Sequence, residues 1–238
     1  MFCMRFQISE LVVTPENQET AKRLIGITQV HDCPELLYLT GPAGSGKSVF
    51  LEARGTEKDL LSTKKAMYCH ASEILAMLSI GNENADNFLN RIGEVDVLLI
   101  DDVEDFLKNE AVGAQACKLL TDSRAKQGLD TVVASRTPLS DLDNRLRDAF
   151  SDFEEISMAP LGENGAVALA KSYADHFTRA KGKENVNALA DETFVYLGEK
   201  FCDSLKDMAP AVEYLVAVAE LPKDKPVSPE EAANCLTL

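Results

Sequence analysis

No stretch of this 238-residue sequence approaches the roughly 18 unbroken apolar residues that a membrane-spanning helix needs. Even Ala211–Ala219 is short and interrupted by Glu213. The start, MFCMRFQISELVV, lacks the layout of a secretion signal, so a cytoplasmic protein with no membrane partner is expected. Its six cysteines, Cys3, Cys33, Cys69, Cys117, Cys202 and Cys235, show neither CxxC nor His-linked spacing, which argues against a zinc site or a disulfide framework and leaves them as small core residues. Histidine is limited to His31, His70 and His176, so a His-based metal site is not expected. Basic residues are outnumbered, 24 Lys and Arg against 39 Asp and Glu, for a net charge of -15. That field repels phosphate backbones, and the Lys and Arg residues form no dense run, so DNA binding by this chain should be weak or absent.

What is present suits a soluble globular protein, with 45% apolar and 26% charged residues. Short apolar runs read as strands at Leu36–Thr40, Ala66–Cys69, Asp96–Ile100, Leu129–Ser135 and Phe153–Ser157. Helical patterns lie between them at Lys47–Leu61, Ala71–Leu78, Ala85–Ile92, Glu110–Gln127 and Asp141–Phe150. This alternation predicts an α/β fold, a parallel five-stranded sheet with helices on both faces. From about Met158 the strand signals stop, and helical stretches follow at Glu163–Ala180, Ala190–Cys202, Lys206–Leu221 and Ser228–Cys235. We therefore expect an α/β core over residues 1–159 and an all-helical lid over 160–238, with no repeat, no low-complexity segment and no tail for a further domain.

The chemistry concentrates at three places. Gly41-Pro42-Ala43-Gly44-Ser45-Gly46-Lys47-Ser48 satisfies GxxxxGK[ST] directly after one predicted strand and directly before a helix, the context of a phosphate-binding P-loop. Glycines let backbone N–H groups wrap phosphates, Lys47 neutralises the β and γ oxygens of ATP or holds ADP, and the Ser48 hydroxyl ligates Mg2+. Downstream, Val97-Leu98-Leu99-Ile100 ends in Asp101-Asp102. Asp101 is expected in the magnesium shell and Asp102 as the group that orients the attacking water, with a helix N-cap as the alternative use of Asp102. Ser135, at the end of the fourth strand, is a candidate for the γ-phosphate or the water, or else a cap of the turn before Pro138.

With these motifs in this order, the sequence resembles the AAA+ ATPases, and among them the bacterial replication initiator DnaA and its shorter relative Hda. Leu11 to Gln18 is similar to the family's N-terminal FVVGxxNQ element, which implies adenine contacts for Val12 and Val13 and a place for Asn17 in the cofactor site; Thr14 stands where the family has glycine. Val95–Leu107, VDVLLIDDVEDFL, is very similar to the family's VDVLLIDDIQFL. Ser135–Pro138 resembles its sensor I segment, and Asn144–Phe150 its box VII, with Ala149 at the place of the arginine finger and Arg145 and Arg147 close by. Leu205–Val212 resembles sensor II, with Lys206 in the arginine's place, a point charge toward the γ-phosphate or a solvated lysine. The resemblance implies a weak, magnesium-dependent ATPase that acts through another AAA+ replication protein, the initiator, or through its own copies. The sliding clamp, through the clamp-motif-like Phe6–Leu11, and the replicative helicase, as for a DnaC-like loader, are further candidate partners. An ATP-gated module with negligible hydrolysis and a small phosphotransferase are the alternatives. Between Ala71 and Glu94, where the initiator grips single-stranded DNA, this chain has only Arg91 as a positive charge, and the initiator's DNA-reading helix-turn-helix domain is not expected.

Overall fold

The computed structural model describes residues 12–15, 17–26, 34–56, 64–80, 83–109, 113–182, 186–202, 204–219, 221 and 225–237. Cys3, Cys33, His31 and the clamp-motif-like segment 6–11 lie outside the described residues. Those up to Pro160 form one compact unit and those from Leu161 a second.

In the first unit, β1 (Leu36–Thr40), β2 (Ala66–His70), β3 (Val97–Asp101), β4 (Asp130–Ser135) and β5 (Glu154–Ser157) form one sheet in the order β2-β3-β4-β1-β5, every pairing parallel. The α/β class expected from the alternating pattern is the class observed. The central strands β3 and β4 are buried along their whole length, because helices cover both faces. On one face Leu37, Leu39, Leu99 and Val132 pack with Ala21 and Leu24 of α1 (Gln18–Gly26) and with Phe50 and Leu51 of α2 (Lys47–Thr56). On the other, Tyr38, Leu98, Ile100 and Val133 pack with Ile74 of α3 (Ala71–Ile80), Ile92 of α4 (Glu83–Glu94), Cys117 of α5 (Gly113–Lys126) and Leu146 of α6 (Asn144–Ala149). Successive strand residues point to opposite faces, so Leu37 and Tyr38 serve different cores.

Where an element departs from the pattern, a local hydrogen bond accounts for it. The stretch read as one helix over Asp141–Phe150 breaks at Leu142, which is extended, and restarts at α6 because the Asp143 carboxylate accepts from Arg145 N. Asp102 is followed by a 3₁₀ segment, Val103–Asn109, that the periodicity does not reveal.

Arg124, in the last turn of α5, is fully buried. All five of its N–H donors are engaged: Nε with Thr131 Oγ1, Nη1 with the Ile92 and Val95 carbonyls, and Nη2 with those of Asp96 and Asp130. It ties the end of α4 and the approach to β3 to the start of β4. Burial pulls its pKa down to about 10.

The second unit is helical: α7 (Glu163–Lys181), α8 (Asp191–Phe201), α9 (Leu205–Glu213) and α10 (Pro229–Cys235). α7 and α8 pack at Gly198, where a Cβ would lie 2.5 Å from Val167 Cγ2 and 3.0 Å from the Val167 nitrogen. The stretch read as a single helix over Lys206–Leu221 contains Pro210 and widens to a π turn over Tyr214–Val218. The Asn187 amide stabilises that turn by donating to the carbonyls of Leu215 (2.8 Å) and Ala219 (2.9 Å). Among the described residues no helix is long and apolar enough to cross a membrane.

Candidate nucleotide site

Parallel pairing brings the C-terminal ends of β1, β3 and β4 to one edge of the sheet, the edge at which ligands bind in open α/β folds. Thr40, the last residue of β1, pairs with Ser135, the last of β4, so Gly41 and Arg136 leave the sheet side by side. β3 flanks β4 on its other side and ends in Asp101.

At Gly41 an added Cβ would sit 2.3 Å from the Met158 carbonyl oxygen, so no larger residue fits without displacing backbone. Gly44 and Gly46 hold φ of 82° and 93°, the left-handed conformation that lets the loop turn its N–H groups inward. Lys47, only 7% exposed, donates to the carbonyls of Gly41 (2.6 Å) and Pro42 (3.0 Å) and to Ser45 Oγ (3.3 Å). Burial lowers its pKa, while Asp101 and Glu104 hold it up. Ser48 is exposed in the first turn of α2, which carries no acid of its own to compete for an anion. Pro42, Ala43 and Gly44 are exposed and Ser45 is buried. A loop of inward-turning backbone with a buried ammonium held only on neutral oxygens fits a polyphosphate.

Asp101 is buried; its Oδ2 accepts from the Tyr68 hydroxyl (3.1 Å) and its Oδ1 from Asp102 N (3.0 Å). Asp102 has φ of 51°, the one positive value among described non-glycine residues. Such a backbone costs an L-residue about 1–2 kcal/mol, less for Asp or Asn. Its carboxylate lies between His70 and Arg136, with Oδ2 3.9 Å from His70 Nδ1 and Oδ1 3.6 Å from Arg136 Nη2. Burial, then the Asp101 charge, raises the Asp102 pKa, and Arg136 opposes them. Oxygens from Asp101 and Asp102 and one His70 nitrogen fall within 4.8 Å of one another, close enough to share a cation. Two adjacent carboxylates are hard oxygen donors of the kind magnesium takes.

The Ser135 hydroxyl accepts from Thr137 N (3.0 Å), the turn-capping geometry, while Arg136 N donates to Glu104 Oε1 (3.0 Å). Asn17 is buried: its Oδ1 accepts from Thr14 N (2.8 Å) and its Nδ2 donates to the Val12 carbonyl (2.9 Å). Its amide therefore shapes the loop before α1, and Thr14 fits that loop without a positive φ. Val12 is half-buried and Val13 is 52% exposed, an apolar surface free to meet a base. Lys206 belongs to α9, and its side chain lies outside the described residues.

Ala149 is buried in the core beside Phe150, and its carbonyl accepts from Thr121 Oγ1 (3.2 Å). A larger side chain at this position would have to displace that packing. Arg145 pairs with Asp143, and Arg147 donates to the Ser140 carbonyl. Tyr68, His70, Glu104 and the placement of Arg136 were not singled out from the sequence. The available sign was Tyr and His two residues apart at the end of the strand that pairs with the acid-bearing strand, both on one face.

Replacing Gly41 by alanine should lower the melting temperature and weaken nucleotide binding together, since the added methyl must push back the Met158 backbone. Thermal melting paired with calorimetry checks this.

Comparison with known proteins agrees with the geometry. Residues 4–154 match the family model described as the bacterial DnaA ATPase domain. The chromosomal replication initiator DnaA of Rhodopseudomonas palustris strain BisB5 is 28% identical over 209 residues, 83% of this chain and 42% of the relative. The chain thus spans about two fifths of the length of the curated relatives it matches. Domain III of the Thermotoga maritima initiator has the same fold, with a TM-score of 0.79 at 20% identity over 97% of this chain and 95% of that one. A structure of DnaA bound to AMPPCP and single-stranded DNA superposes with a TM-score of 0.69 at 18% identity, covering 87% of this chain and 63% of that one. With more than half its length matched by that model, the chain belongs to the DnaA ATPase-domain family of AAA+ proteins, the family of bacterial replication initiation.

Proposed function

We propose that this protein binds ATP with magnesium at the Gly41–Ser48 loop and that the bound nucleotide controls its contacts with a second AAA+ protein of replication initiation, an initiator or a copy of itself. The observation that carries this reading is the buried Lys47 held on neutral oxygens within a glycine-shaped loop, one strand away from the Asp101–Asp102 pair. Lys47 and the loop N–H groups hold the phosphates, and Val12 and Val13 the adenine. Asn17 keeps the adenine loop in shape, and Lys206 is a further candidate for the cofactor. Ser48 and Asp101 would hold magnesium, which supplies charge neutralisation of the β and γ oxygens. Asp102 orients the attacking water, with Ser135 fixing the turn beside it. The sliding clamp and the replicative helicase are the other partners to test.

Asp102→Asn should leave ATP affinity nearly intact and slow hydrolysis by about 10²-fold or more, the usual worth of a general base. Asparagine tolerates the positive φ at this position, so the substitution reads the carboxylate and not the backbone. Asp101→Asn should instead weaken the magnesium dependence of binding. Equal losses of affinity in both variants, with nothing else changed, would end this division of roles. For the partner, protein locked in its ATP state should retain an AAA+ replication protein from a lysate that the nucleotide-free protein does not retain.

Direct DNA binding should be weak. α3 and α4 carry Glu73, Glu83, Asp86 and Glu94 against the single exposed base Arg91. Fluorescence anisotropy with single-stranded DNA at moderate salt checks this; a tight, salt-steep complex would contradict it.

A further inference from the structure

We propose that His70 Nδ1 joins the carboxylates of Asp101 and Asp102 to hold one first-row transition ion such as zinc, and that it does so without bound nucleotide. Magnesium in the nucleotide reading depends on phosphate oxygens, whereas this donor set needs none, so the two stand or fall separately. Strand register places the donors: His70 ends β2 opposite Asp101, the end of β3, and Asp102 follows at once. One nitrogen of His70 and one oxygen of each aspartate all lie within 4.8 Å of one another. Two donors held at about 2.1 Å from one zinc ion are at most about 4.2 Å apart. A small turn of the His70 and Asp102 side chains closes the difference, since both are partly exposed, 41% and 33%, and an ion reaches them from solvent. Imidazole is a donor that zinc takes and magnesium does not seek, so His70 sets the choice of ion. Three protein donors leave a position for water, the open type of site.

Proton counting identifies the nitrogen. The Tyr68 hydroxyl has one proton and lies 3.1 Å from Asp101 Oδ2 and 3.2 Å from His70 Nε2. An ionised carboxylate only accepts, so the proton goes to Asp101, and the Tyr68 oxygen is left to accept from Nε2–H. In the neutral ring Nδ1 then carries the lone pair. It faces Asp102 Oδ2 at 3.9 Å, too far for a hydrogen bond, and a cation between them accounts for two acceptors turned toward each other. Tyr68 is thus the outer partner that fixes the tautomer of a metal-bound histidine, and its edge contact with the imidazole, 5.4 Å between ring centres, holds the ring plane. Arg136 sits at the other oxygen of Asp102, Oδ1, and leaves Oδ2 to the ion.

The test uses the full chain, stripped of metal by a chelator and free of nucleotide, with zinc and magnesium titrated by calorimetry and cobalt, as a coloured stand-in for zinc, by visible absorption. Wild type should bind zinc more tightly than magnesium, and zinc should displace cobalt. His70→Ala and His70→Gln should each lose roughly 100-fold or more in zinc affinity, beyond the 10- to 100-fold that an outer partner is worth, and Tyr68→Phe should lose within that range. Their preference for zinc over magnesium should shrink as well, a change that a merely structural histidine would not produce. Independently of any variant, cobalt should shift the ring-proton resonances of His70 among the three histidines of the chain. Zinc affinity unchanged in both His70 variants, or zinc and magnesium lost in step, would overturn the proposal. So would cobalt bands of thiolate charge transfer, which place the ion on a cysteine, or shifts confined to another histidine. Absence of zinc binding would leave His70 as an imidazolium paired with Asp102. A separate titration with ATP and magnesium reads the nucleotide site, and its failure would leave zinc binding in place.

Discussion

Lys47→Ala is expected to lose ATP affinity by some 2–5 kcal/mol, roughly thirtyfold to a few thousandfold, because the phosphate charge is left in a low-dielectric loop without its counter-ion. The backbone N–H groups and the α2 N-terminus remain, but partial dipoles do not replace a full charge at the β and γ oxygens. Folding should be little affected. In the nucleotide-free protein Lys47 is a buried cation on neutral oxygens, disfavoured by burial, so removing it relieves desolvation while it releases the carbonyls of Gly41 and Pro42. Calorimetry for binding and thermal melting for stability separate the two effects. Unchanged ATP affinity in a well-folded Lys47→Ala protein would mean that the phosphates lie elsewhere.

Arg124→Met should cost about 3–5 kcal/mol of stability, the scale for removing one member of a buried charged network. The substitution keeps much of the stem's apolar volume and removes all five donors at once, leaving the carbonyls of Ile92, Val95, Asp96 and Asp130 in the interior without this partner. Those carbonyls govern the approach to β3 and the start of β4, the opposite strand ends from Asp101 and Ser135. Denaturant unfolding measures the loss. A midpoint unchanged in Arg124→Met would show that the network is neutral against an apolar replacement, as some buried ion pairs are.

The strands were legible because both faces of the sheet are covered. Leu36–Thr40 and Val97–Ile100 are nearly continuous apolar runs, and such a run needs no alternation to be recognised. The glycine-rich loop and the acid pair could be picked out because their residues are contiguous: eight neighbours form one, and two adjacent carboxylates at a strand end the other. Arg124 shows the opposite case. In sequence it is a basic residue in the last turn of a helix, indistinguishable from one that complements the helix dipole, and its partners lie between 6 and 32 positions away. Ala149 is similar, since alignment located the position and only packing revealed that it faces the core.

By itself, then, the sequence determined the α/β class and marked the glycine-rich loop and the acid pair as candidates, because each depends on residues adjacent or periodic along the chain. The tertiary structure decided which groups meet at the sheet edge: His70 and Arg136 on either side of Asp102, Tyr68 on Asp101, and Thr40 beside Ser135. Strand order governs those meetings. β1 and β4 are neighbours although some 90 residues separate them, and no local propensity encodes a pairing whose free energy comes from burying both faces of a sheet at once.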